Sequence, residues 1–215
     1  MNYIRLFRIL AVFVGMIALG LGMGFYFASY HQPTKPDVQG LLWPDPKQLR
    51  AFATIDHNGR VFSIDRLQGK WSFLFFGFTH CPDVCPLTLA VLNDFYNRIQ
   101  GTELARGTQI IFVTVDPERD TTERVRDYVG YFNPAFIGLG GNMDQIISLS
   151  SQLGVFFMHG EKNGDGGYSV DHTAAVFLTD PLGRVVAVFS APHQVDSLRD
   201  RYTIIRKFIE KQSTT

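Results

Sequence analysis

The sequence predicts an α/β domain, a mixed sheet flanked by helices, carried behind an N-terminal transmembrane helix. Three observations predict it. Residues 9–28 contain no charged side chain. The continuous apolar run 71–78 and the largely apolar 109–116 have the composition of strands buried on both faces, as central strands of a parallel sheet must be. Helical periodicity follows each run, giving the alternation of strands and helices that builds layered α/β folds.

As a helix rising about 1.5 Å per residue, residues 9–28 reach roughly 30 Å, the thickness of a bilayer's hydrocarbon core. The run is longer than the about 7–15 apolar residues of a cleaved signal peptide, and SYHQPTKP follows it without a small-residue cleavage box, so an uncleaved anchor is expected. Arg5 and Arg8 precede it with no acidic residue, which assigns residues 1–8 to the cytoplasm and everything after 28 to the far side. Those eight residues are too few for a mitochondrial presequence. The expected location is therefore a bacterial inner membrane, single-pass, with the domain in the periplasm, where disulfides can persist.

Residues 29–46 carry Pro33, Pro36, Pro44 and Pro46 and read as a semi-extended tether. The remainder, 47–215, has the size of one domain with an adequate core. With Arg5 and Arg8 set aside, 18 basic residues face 20 acidic ones, a balance that gives no electrostatic case for nucleic acid.

Within the domain, Asp56, His57, Asn58 and Gly59 form a turn expected to join two short strands. Strand 71–78 follows. Leu87, Val91, Phe95 and Ile99, spaced by four, mark the inward face of a helix starting at Pro86. Strand 109–116 leads to a helix over 121–132, and this βαβ order implies a parallel pair with a right-handed crossover. A short strand at 136–139 precedes a helix ended by Gly154. A hairpin turns at Asp180, Pro181, Leu182 and Gly183, and a last helix over 195–211 turns Leu198, Tyr202, Ile205 and Ile209 inward.

Between the first buried strand and its helix lies FTHCPDVCP, holding Cys81 and Cys85, the only two cysteines in the chain. Open α/β sheets place their sites at such carboxyl ends of strands. Pro82 and Pro86 disfavour helix at the residues before them, so Cys85 is expected at the N-cap, where the helix dipole lowers a thiol pKa. A structural disulfide closing so small a loop would contribute roughly 2 kcal/mol, against about 4.7 for a hundred-residue loop. A reactive pair or a metal site is the better use of these thiols.

Two thiolates suit a soft metal and need a third ligand, sought among His31, His57, His80, His159, His172 and His193. His31 lies in the tether and His57 in a turn, both expected in solvent, and His193 follows Pro192. His80 adjoins Cys81, but neighbours on an extended chain point to opposite sides. His172, in SVDHTAAVFLTD, stands just before a strand of the same sheet; spacing alone leaves its role open.

Three segments in order, GKWSFLFFGFTHCPDVCP (69–86), VDPERDT (115–121) and VDHTA (170–174), resemble the Sco (SenC) family of membrane-anchored copper proteins. The resemblance runs from about Leu41 onward. It implies a thioredoxin-like fold in which Cys81, Cys85 and His172 bind copper, as Cu(I) or Cu(II), with Asp171 in the outer shell. The Gly-Leu-Thr-Gly common in the family is here Gly138, Leu139, Gly140 and Gly141, a departure that removes no proposed ligand.

The resemblance further implies a copper metallochaperone that helps assemble the dinuclear copper site of cytochrome c oxidase subunit II, with other periplasmic copper carriers as further partners. Three ligands leave room for a partner's ligand, whereas structural zinc normally has four. The alternative is a thiol:disulfide reductase keeping that partner's cysteines reduced, in which Cys81 and Cys85 would be catalytic and cycle through a disulfide. Peroxide reduction rests on thiolate nucleophilicity alone.

Asp116 and Arg119 are expected to order the loop before a helix capped by Thr121, without chemistry of their own. Met16 and Met23 belong to the anchor, and Phe75, Phe76 and Phe78 to the core. Gly164, Gly166 and Gly167 suggest a mobile loop that opens as copper enters.

Overall fold

The computed structural model describes residues 2–30, 36–42, 45–161 and 167–212. His31, Gly164 and Gly166 lie outside them. The chain forms two compact units, residues 1–35 and 36–215. The first is helix α1 (Asn2–Tyr30), which contains the uncharged run. Among the described residues no helix is long and apolar enough to cross a membrane.

In the second unit, part of the expected tether is folded: Val38 and Leu41 are buried, Leu41 bridges Ala187, and the Leu42 amide donates to the Val186 carbonyl over 2.8 Å. Strands β1 (Lys47–Gln48), β2 (Ala53–Asp56) and β3 (Val61–Ser63) come next, with the expected turn joining β2 to β3. His57 is not free in solvent there: its Nδ1 accepts the Gly138 amide over 2.8 Å.

The two apolar runs form β4 (Trp71–Gly77) and β5 (Thr108–Thr114), parallel and buried at every residue. Between them α2 (Val84–Ile99) packs on the face of β4 that presents Phe73, whose ring meets Phe95 at 4.8 Å. The inward face of α2 is Cys85, Thr88, Leu89, Leu92, Phe95 and Ile99, while Leu87 is exposed. A strict spacing of four drifts around a helix of 3.6 residues per turn, so the expected stripe holds only in its second half.

Helix α3 (Thr122–Phe132) begins at a Thr121 cap that accepts the Arg124 amide. Then follow β6 (Ile137–Gly140), parallel to β5, and α4 (Met143–Leu153), ended by Gly154 in the left-handed region at φ 70°. A two-stranded sheet of β7 (Phe157–His159) and β8 (Val170–His172) was not anticipated. Strands β9 (Val176–Thr179) and β10 (Arg184–Phe189) form the expected hairpin, and α5 (Val195–Gln212) buries Leu198, Tyr202, Ile205 and Ile209 as expected.

The main sheet runs β1-β10-β9-β4-β5-β6-β2-β3, with β4, β5 and β6 parallel and the other pairs antiparallel. This is a mixed sheet with β4 near its middle. The carboxyl end of β4 therefore opens onto the loop that holds Cys81 and leads into the first turn of α2, which holds Cys85.

Candidate metal centre

Beyond β4 the chain turns, with the Cys81 amide donating to the Phe78 carbonyl over 3.2 Å. Helix α2 then starts at Val84 with Asp83 as N-cap, two residues earlier than the prolines suggest. Pro86 is tolerated at the third helical position because first-turn amides have no partner within the helix. One of those unpaired amides, that of Cys85, donates to Cys81 Sγ over 3.4 Å. The helix end thus serves the sulfur of Cys81.

Cys85 itself is fully buried. Burial pushes its thiol far above the usual range, with a backbone hydrogen bond involving Phe78 opposing. The expected lowered pKa at Cys85 is corrected: desolvation outweighs the helix end because the sulfur points into the core rather than out of the first turn. Gly77 makes the space for it. A Cβ at that position would lie 2.8 Å from Cys85 Sγ and 3.0 Å from the Phe112 ring.

His172 arrives from β8. Its Nδ1 lies 3.2 Å from the Thr173 carbonyl, and a carbonyl can only accept, so Nδ1 carries the proton and Nε2 presents a lone pair. That lone pair faces Cys85 Sγ at 3.3 Å, so the thiol donates to it. Phe75 and Phe78 stand edge-on to the ring at 6.2 and 5.9 Å. Burial, opposed by the Thr173 hydrogen bond and by the charge of Asp171, lowers the imidazole pKa, which favours the neutral ring.

The ligand atoms of Cys81, Cys85 and His172 all lie within 4.8 Å of one another, a grouping that offers one ion three donors once the most distant pair closes slightly. Both cysteines are free thiols. Soft sulfur with a neutral imidazole is a donor set for Cu(I), Cu(II) or zinc. The Thr173 carbonyl orients the His172 ring, while Asp171, expected outside the ligands, is exposed on the opposite side of β8 and acts on His172 through its charge. Beside His172 a cavity of about 560 Å³ is lined by Phe156, Phe157, Met158, Asp171 and Thr173.

The other described histidines do not reach this cluster. His80 lies 3.5 Å from Asp120 and His159 lies 3.8 Å from Asp116. His193 Nε2 donates to the Ala174 carbonyl over 3.0 Å. His80, Asp116 and Asp120 also converge, but Asp120 already accepts from the Thr79 amide, the Thr79 hydroxyl and the Thr114 hydroxyl. Sequence reasoning missed Gly77 and the Thr173 carbonyl, whose roles are packing and backbone geometry, and Asp120, which joins Thr79 across 41 positions of the chain.

The SCO1/SenC family profile matches residues 44–207. The chain belongs to the SCO1/SenC family. The mitochondrial SCO1 homolog 1 of Arabidopsis thaliana is 38% identical over 196 residues, covering 86% of this chain and 57% of that protein. This chain thus spans little more than half of that SCO1 relative. The crystal structure of Arabidopsis thaliana ScoI with copper bound matches with a TM-score of 0.68 at 35% identity, covering 75% of this chain and 98% of the other. Bradyrhizobium japonicum ScoI, also with copper bound, matches with a TM-score of 0.65 at 31% identity, covering 74% and 98%. The thioredoxin-like α/β fold is that of SCO1/SenC structures, and copper is the metal bound in these two.

Proposed function

We propose that this SCO1/SenC protein is a copper metallochaperone whose cargo is held by Cys81, Cys85 and His172. The observation that carries the reading is the convergence of two thiols and one imidazole lone pair within 4.8 Å. Three protein ligands leave a position for a donor or acceptor, which suits transfer better than storage. Phe156 and Met158, 82% and 67% exposed beside His172, offer an apolar rim for a protein partner.

The partner we propose is cytochrome c oxidase subunit II, at its dinuclear copper site, with periplasmic copper carriers as further partners. The uncharged run 9–28 supports a single-pass anchor in a bacterial inner membrane, with the domain in the periplasm.

A second reading, a thiol:disulfide reductase, is favoured by the two free thiols that share a hydrogen bond through the Cys85 amide. Cys81, the less buried residue of the two, would attack, and Cys85 would resolve the mixed disulfide. The deep burial of Cys85 weighs against rapid exchange.

Titrating the reduced full chain in detergent with Cu(I) and Cu(II) tests both. Tight one-to-one binding with thiolate-to-copper absorption, much weakened but still measurable for Cu(II) in His172→Ala, supports the metallochaperone. Weak binding that His172→Ala leaves unchanged overturns it in favour of the reductase.

A further inference from the structure

A second polar cluster lies away from the ligand atoms and joins the loop 115–121 to the chain ahead of β8. Asp116 is fully buried. The Tyr168 hydroxyl donates to its Oδ1 over 2.6 Å, and Arg119 Nε donates to its Oδ2. Arg119 Nη1 donates to the Tyr168 carbonyl over 2.8 Å, and the guanidinium carbon sits 3.5 Å from the centre of the Tyr168 ring. The same guanidinium stands 5.8 Å from the Phe78 ring, which in turn meets the His172 ring at 5.9 Å.

We propose that Asp116, Arg119 and Tyr168 form a latch that fastens β8 beside the cysteine loop and thereby positions His172 as the third ligand. The inference deepens the copper reading and rests on it. Strands β7 and β8 form their own two-stranded sheet, outside the eight-stranded one. A pair of strands alone is marginal in water, so its placement depends on tertiary contacts. Tyr168 is two residues ahead of β8, and it is held twice, through its hydroxyl and through its carbonyl.

The latch is rigid for an electrostatic reason. A buried carboxylate is costly unless paired and hydrogen-bonded, and Asp116 gains both from Arg119 and Tyr168. Movement of Tyr168 away from the loop would break a charge-assisted pair and strip the ring from the guanidinium. The three residues touch no ligand atom. They act through the position of His172.

The test uses the reduced full chain in detergent, with Tyr168→Phe, which keeps the ring, and Arg119→Lys, which keeps the charge, each alone and combined with His172→Ala. Each single variant is expected to weaken Cu(II) binding on the order of tenfold, as loss of outer support does at metal sites, while Cu(I) held by two thiolates is unchanged. The nitrogen coupling of the bound Cu(II) spectrum should weaken in parallel. In the His172→Ala background neither variant should weaken Cu(II) further, which a merely structural role would not produce.

A metal-free measurement accompanies it. Amide hydrogen exchange over residues 170–173 of the apo chain should speed up in both variants. Wild-type Cu(II) affinity in both, or equal losses with and without His172, would overturn the latch. If the wild-type chain takes no copper, the copper reading is what fails; unchanged exchange over 170–173 would then overturn the latch independently.

Discussion

The thiol of Cys85 donates to Nε2 of His172 across 3.3 Å, an uncharged contact sealed by Phe75 and Phe78. Because both groups are neutral in the apo chain, the geometry stands before any metal arrives. Metal binding must then displace thiol protons.

Copper affinity should therefore rise with pH. Each thiol proton released makes apparent binding about tenfold tighter per pH unit while that thiol is still protonated. Burial holds the Cys85 proton well above the usual thiol range, so the rise should continue through neutral pH. Competition titrations with Cu(I) between pH 6 and 8 should show it, and a flat profile would contradict the account.

Gly77→Ala should damage the site from beneath. The added carbon would lie 2.8 Å from Cys85 Sγ, and overpacking of this kind costs about 1–3 kcal/mol. A lower melting temperature together with weakened copper binding is expected. Unchanged values for both would show that the sulfur can move aside freely.

Tyr128→Phe should do the opposite to stability. The Tyr128 hydroxyl is buried and finds no hydrogen-bond partner among the described residues. Leaving a polar group so costs about 1–3 kcal/mol, so its removal should leave the apo melting temperature equal or higher. A clear drop would reveal a partner for the hydroxyl.

Acid should destabilise the domain through its buried imidazoles. His193 is held below the ordinary value of 6.5, chiefly by burial, with the hydrogen bond to Ala174 opposing. The unfolded chain then binds more protons than the folded one between the two pKa values, so stability present above pH 6.5 is lost as pH falls through the folded value. His193→Gln should flatten part of that loss in denaturant melts taken from pH 7 to pH 5. An identical slope would exclude His193 as a contributor.

Strands β4 and β5 were legible because a strand buried on both faces is predominantly apolar and cannot alternate, whatever surrounds it. Helices α3 and α4 announced themselves by local chemistry, the Thr121 cap and the left-handed Gly154. Strands β7 and β8 carried no such mark: Met158 and Asp171 face outward, and the segments are too short for a pattern to accumulate. For α2, the prolines near its start suggested Pro86 as the first residue, whereas the fold carries it back to Val84 so that the Cys85 amide meets the sulfur of Cys81.

Sequence by itself determined the donor atoms. Two cysteines with three residues between them, placed where a buried strand ends, restrict the chemistry to soft metals and thiol exchange, and three ordered segments carry the family resemblance. Only the tertiary structure decided what those donors experience. His172 reaches Cys85 because β8 is fastened beside the cysteine loop by Asp116, Arg119 and Tyr168. The Cys85 thiol keeps its proton because the core around Gly77 excludes water, and desolvation depends on every neighbour at once rather than on any local run of residues.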